Sequence, residues 1–170
     1  AAKDSSGGAE LELAPDDIEA ILAGQEEELS TSTVKEIRKA IDAAGHPALL
    51  MVDSISGLAS IDFRFDEWGI DVAVSGSQKG LMLPPGISFN AVSKKALEAS
   101  KSARLPKAFW GWHEIIEMNA TGYWPYTPNT NLLYGLAEAL DMILGEGLDN
   151  TFARHQRLAA ACRKAAATAS

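Results

Sequence analysis

Two side chains of opposite charge, Asp53 and Lys79, each follow a short apolar run that reads as a β-strand. Residues 48–53 read Ala-Leu-Leu-Met-Val-Asp, a continuous apolar stretch closing on a carboxylate, as expected of a strand buried on both faces. Residues 70–74 read Ile-Asp-Val-Ala-Val and form the next strand candidate, with Lys79 just beyond its carboxyl end in Ser75-Gly76-Ser77-Gln78-Lys79-Gly80. Ligands of open α/β sheets bind outside the carboxyl ends of the strands, so both side chains face one crevice if these strands are near neighbours. An amine in that position is a nucleophile for a carbonyl, and a carboxylate beside it can hold a heteroaromatic nitrogen protonated.

That pair matches the needs of pyridoxal phosphate. The cofactor is carried on a lysine amine, which later moves a proton between the substrate α-carbon and the cofactor, while an aspartate keeps the pyridine nitrogen charged. Gly76 and Gly80 allow the backbone near a planar ring, and Ser75, Ser77 and Gln78 offer hydrogen-bonding groups to phosphate or ring substituents. On residue types alone, a solvated or ion-paired Asp and Lys are the stronger explanation, since most such groups are structural.

The elements around the pair alternate. Pro15, with Asp16 and Asp17, opens a helix whose apolar stripe is Ile18, Ile21 and Leu22, ending at Gly24. Residues 30–33 supply N-cap choices for a second helix through Val34, Ile37, Ala40 and Ile41, stopped by Gly45-His46-Pro47, where the imidazole can contact the last carbonyls. The acidic run Glu26, Glu27, Glu28 is unsuited to a central strand. Residues 63–69 form a helical turn closed by Gly69, and residues 86–92 a third strand, parallel or returning antiparallel. Further helices are predicted over 93–100, 130–144 and from 148 onward. The expected class is α/β, with a largely parallel sheet flanked by helices.

Composition narrows the partners. Among 170 residues, 15 Lys and Arg stand against 23 Asp and Glu, for a net charge of −8, which argues against nucleic acid and anionic membranes. Small molecules or another subunit are expected instead. The first ten residues have no signal-peptide pattern and no apolar run approaches the roughly 20 residues of a membrane span, so a cytoplasmic location is expected. Both ends of the sequence look like cuts. The one cysteine, Cys162, falls in an alanine-rich helix as a packed thiol. His113 and His155 lack metal-ligand spacing, so structural roles and no metal site are expected, and the Trp110/Trp112 pair is expected to pack.

Asp53-Ser54-Ile55-Ser56-Gly57, with Ser75-Gly76-Ser77-Gln78-Lys79-Gly80-Leu81-Met82-Leu83-Pro84-Pro85-Gly86, closely resembles the cofactor region of serine–glyoxylate and alanine–glyoxylate aminotransferases. These are class V enzymes of fold type I, and the resemblance runs from Val34 to about Lys164. It implies that Asp53 pairs with the pyridinium nitrogen, Ile55 packs on the ring, Ser77 and Gln78 contact the cofactor, and Lys79 forms its Schiff base. A second match covers Gly122-Tyr123-Trp124-Pro125-Tyr126-Thr127-Pro128-Asn129-Thr130-Asn131. It implies that Thr127 and an aromatic residue, Tyr126 or Trp124, bind the phosphate in a neighbouring subunit's site, making the active unit a homodimer. A helix capped by Thr130 or Asn129 is compatible with that role.

The implied organisation is a polar N-terminal segment with a short helix over 1–33, then part of the large cofactor domain over 34–170, ending in a long helix. Members of the family are more than twice as long, and their phosphate cup and substrate-carboxylate arginine fall outside this chain. The implied activity transfers an amino group from serine or alanine to glyoxylate. Rival readings are a phosphoserine aminotransferase, a cysteine desulfurase, weakened by Cys162 sitting in a helix rather than on a mobile loop, or a non-catalytic α/β fragment serving as a folding or subunit-contact module.

Overall fold

The computed structural model describes residues 26–169. The helix expected over 15–24 lies outside the described residues. Helix α1 spans Glu26–Ala43 and so begins ahead of the expected caps at 30–33, passing through them and across residues 33 and 34. α1 stops as expected at Gly45, whose φ of +58° lets His46 N donate to Ile41 O at 3.1 Å and close the last turn. The His46 ring does not meet those carbonyls; its Nδ1 accepts from Ala48 N at 3.1 Å.

Three strands follow: β1 (Met51–Asp53), β2 (Val72–Gly76) and β3 (Ser88–Val92). They form one sheet in the order β1-β2-β3, with β1 parallel to β2 and β3 antiparallel to it. β1 is shorter than the apolar run that contains it. Leu50 N donates to the side chain of Asp71 at 2.9 Å, so the regular ladder starts one residue later.

Burial on both faces, expected of β1, belongs to β2 instead. In β2 only Val74 is half-exposed, whereas Met51 in β1 is 64 % exposed, because β1 pairs with a single strand among the described residues. The core is Leu50, Trp68, Ile70 and Ala73, overlaid by Val34 and Ile41 from α1 and by Val52, Phe63 and Phe65. Trp68 reaches it from the turn closed by Gly69, with φ of +63° and Ile70 N donating to Phe65 O at 3.1 Å.

Four helices complete the described chain: α2 (Lys94–Lys101), α3 (Trp112–Ala120), α4 (Thr130–Glu146) and α5 (Leu148–Ala169). Ser93 caps α2 by accepting from Ala96 N, and Asn129 rather than Thr130 caps α4 by accepting from Leu132 N. Cys162 is exposed on α5 rather than packed, and Trp110 is 75 % exposed rather than buried with Trp112. His113 has a structural partner, its Nε2 lying 2.9 Å from Ser100 Oγ.

Candidate active site

Parallel pairing of β1 with β2 brings the two strand ends together. Asp53 lies opposite Val74, and the chain leaves β2 at Gly76 for the loop that carries Lys79. Asp53 and Lys79 are both exposed, at the carboxyl ends of neighbouring strands. Asp53 Oδ1 accepts from Ile55 N at 2.9 Å, which fixes the carboxylate while its second oxygen stays open to a ligand. Ile55 is half-buried just beyond it, and Asp53 also borders a cavity of about 310 Å³ that it shares with Ser54, Ser56, Val52 and Trp68.

Buried serines hold the two strand ends in place. Ser54 N and Oγ both donate to Val74 O, at 2.8 and 2.9 Å, and Ser75 Oγ donates to Ser54 O at 3.2 Å. Ser77 is fully buried; its Oγ donates to Pro84 O at 2.8 Å and accepts from Ile87 N at 3.3 Å. Its amide donates to Ile87 O and its carbonyl accepts from Leu83 N. These bonds close residues 77–87 into a compact loop that displays Gln78 and Lys79 outward. The hydroxyls of Ser75 and Ser77 are therefore engaged within the protein.

Glycine is required at one point of this loop. A Cβ on Gly80 would lie 2.2 Å from Leu58 O, so the loops after β1 and β2 touch backbone to side-chain-free backbone. Two non-glycine residues flank the junction with positive φ, Ala59 at 60° and Met82 at 61°. Left-handed backbone at such residues is held only where the surroundings fix it.

The segment around Thr127 is not brought to Lys79 by any contact described within one chain. Thr127 is exposed, while Tyr126 is half-buried, its hydroxyl donating to Glu114 at 2.7 Å and its ring 4.2 Å from that of Phe109. That bond to a carboxylate, with the desolvation of the phenol, raises the Tyr126 hydroxyl above its usual range. Trp124, the other aromatic candidate, is 48 % exposed and Tyr123 72 %.

Sequence reasoning missed Asp71. It is 5 % exposed, and burial alone would raise its carboxyl. The hydrogen bonds from Leu50 N and Ser93 Oγ and the charges of Lys95 and Arg38 outweigh that, holding it below the usual carboxylate range. The available signal was a single acid inside the apolar run Ile-Asp-Val-Ala-Val.

Residues 20–168 match the family model described as aminotransferase class-V. The chain belongs to the class V aminotransferase family. It is 53 % identical over 137 residues to a serine–glyoxylate aminotransferase of Hyphomicrobium methylovorum, covering 79 % of this chain and 34 % of that protein. It is 50 % identical to an L-aspartate–glyoxylate aminotransferase of Paracoccus denitrificans, again covering 79 % and 34 %. Among solved structures, an alanine–glyoxylate aminotransferase from Nostoc sp. superposes with a TM-score of 0.58 at 35 % identity, covering 71 % of this chain and 32 % of that one. This class V chain thus spans about a third of the length of the curated relatives it matches. Among the described residues there is no helix long and apolar enough to cross a membrane and no cluster suited to a metal ion.

Proposed function

We propose that this chain is the cofactor-holding section of a cytoplasmic pyridoxal-phosphate aminotransferase that moves an amino group from serine or alanine to glyoxylate. The observation that carries the reading is the exposure of Asp53 and Lys79 together at the carboxyl ends of two hydrogen-bonded parallel strands. The residues fit the cofactor on three counts. An exposed carboxylate suits a pyridinium nitrogen, an exposed amine suits an aldehyde, and Gly80 keeps the two loops in close contact, where a methyl group would part them.

Bound pyridoxal phosphate supplies a sink for the electrons left when a proton departs from the amino donor's α-carbon. Lys79 is the amine that would carry the cofactor and move that proton. Asp53 holds a positive charge at the ring nitrogen, its orientation set by the Ile55 amide. Ile55 presents an apolar side chain beside it. With Ser75 and Ser77 engaged elsewhere, Gln78 is the exposed side-chain donor beside Lys79, and the exposed Thr127 of a second copy, with Tyr126 or Trp124 beside it, adds to it at the phosphate. The exposed aromatic surface of Phe109, Trp110, Tyr123 and Trp124 supports a subunit contact there, since patches of this kind on soluble proteins commonly mark interfaces.

The test is chemical. Borohydride treatment of the full-length protein loaded with pyridoxal phosphate should fix the cofactor to the peptide bearing Lys79, and Lys79→Ala should lose both labelling and transamination while still folding. Label on a different lysine, or wild-type turnover in Lys79→Ala, overturns the assignment.

A further inference from the structure

We propose that Asp71 is a positioning residue for Asp53 and Lys79, setting the register of β1 on β2 from the amino-terminal end of both strands. The inference rests on the assignment of those two residues to the cofactor. Three hydrogen-bond donors and one ion-pair partner, from α1, the residue before β1 and the start of α2, converge on this one carboxylate. Oδ2 accepts from Leu50 N at 2.9 Å and lies 3.4 Å from Arg38 Nη1 of α1 and 3.6 Å from Lys95 Nζ of α2; Oδ1 accepts from Ser93 Oγ at 3.0 Å. The backbone of Asp71 adds two more links, its amide donating to Leu50 O at 2.9 Å and its carbonyl accepting from Ser93 N at 2.8 Å.

Register is the property at stake because the Ser54 and Ser75 bonds anchor only the carboxyl end of β1, and Asp71 is the side-chain anchor at its amino-terminal end. β1 holds three residues, two exposed and one half-buried, so no alternation of apolar and polar side chains ties it to one pairing with β2. A slip of one residue would turn Asp53 to the opposite face of the sheet. Slippage would also leave a buried carboxylate facing a carbonyl or empty space in place of the Leu50 amide, and unpaired buried charge is strongly destabilising. Asp53 lies three residues past Leu50, about 10 Å along a strand, so Asp71 acts on the site through β1 and touches no part of it.

Asp71→Asn keeps the shape but sets an NH2 group among these donors, so one or more of them loses its acceptor. The experiment uses the full-length protein loaded with pyridoxal phosphate, well below its melting temperature. It measures the dissociation constant for the cofactor and the absorbance of bound cofactor as a function of pH. The expected result is a roughly tenfold weaker dissociation constant together with a displaced absorbance titration, since the charge facing the ring nitrogen has moved. If Asp71→Asn fails to fold, Lys95→Met removes the half-exposed ion-pair partner of Asp71, together with its bond to Ala48 O, and should give a two- to threefold change in the same direction. A variant that folds with a lower melting temperature, yet keeps the wild-type dissociation constant and titration, would make Asp71 a stabilising residue only and overturn the proposal. A wild-type protein that binds no cofactor overturns the underlying assignment instead.

Discussion

At the scale of single residues the site separates into groups that face outward and groups that hold them there. Asp53, Gln78, Lys79 and Thr127 are exposed, whereas Ser54, Ser75 and Ser77 are buried with their hydroxyls bonded to backbone. The sequence places Ser75 and Ser77 beside Lys79 and Ser54 beside Asp53, and residue type says nothing about which point inward. That division needs the partners, Val74 O, Ser54 O and Pro84 O, which come from other turns of the chain. Asp53 was legible from the strand it ends; Asp71 was not, because a lone acid in an apolar run names no partner until Arg38, Ser93 and Lys95 converge on it. On the proposed role of Asp53, its replacement by Asn removes the charge facing the ring nitrogen and leaves the Ile55 amide an acceptor. The expected outcome is a loss of roughly a hundredfold in transamination, about 3 kcal/mol, with cofactor still bound. Stopped-flow kinetics on the loaded full-length enzyme checks it, and an unchanged rate would place the nitrogen's partner elsewhere.

Between elements, the decisive contact is the one between the loops after β1 and β2. Gly80 sits against Leu58 O with room for a hydrogen and none for a methyl group, so Gly80→Ala must push the loops apart. A destabilisation of about 1–3 kcal/mol is expected from that overpacking, with weaker cofactor retention. Gly145→Ala is the control, since a Cβ there meets nothing within 4 Å. Thermal melts of both variants decide it, and equal melting temperatures would remove the contact from the argument. Periodicity and caps made α2, α4 and the α1 stop legible, since Ser93, Asn129 and Gly45 are local signals. α3 was not anticipated, although Gly111 before it and Glu114 in its first turn are weak helix-start signals. The length of β1 was overread because Leu50 gives its amide to a side chain 21 residues away, which no local pattern carries.

On the scale of the whole molecule, the chain holds the strand ends proposed to face the cofactor and about a third of the length of its relatives, so on that proposal a complete site draws on residues beyond it. One of those contributions is expected from a second copy of this same segment. Ser75 gives its hydroxyl to Ser54 O and Ser77 gives its to Pro84 O, and a phosphate needs several donors, so the exposed Thr127, followed by Pro128, is a further hydroxyl of the right kind. Within one chain its neighbour Tyr126 is tied to Glu114 and Phe109 of α3 and the turn before it, which braces the segment as a projecting unit. Thr127→Ala in the full-length protein should therefore weaken retention of pyridoxal phosphate. Mixing it at equal ratio with Lys79→Ala and allowing subunits to exchange gives mixed dimers in which one site has both wild-type residues and the other has neither. Random assortment of a symmetric dimer puts half the dimers in that class, so about a quarter of all sites should recover. Cofactor content and activity of the mixture measure the recovery. With subunit exchange confirmed independently, no recovery would mean that Thr127 and Lys79 serve the same chain's site, or that Thr127 serves neither.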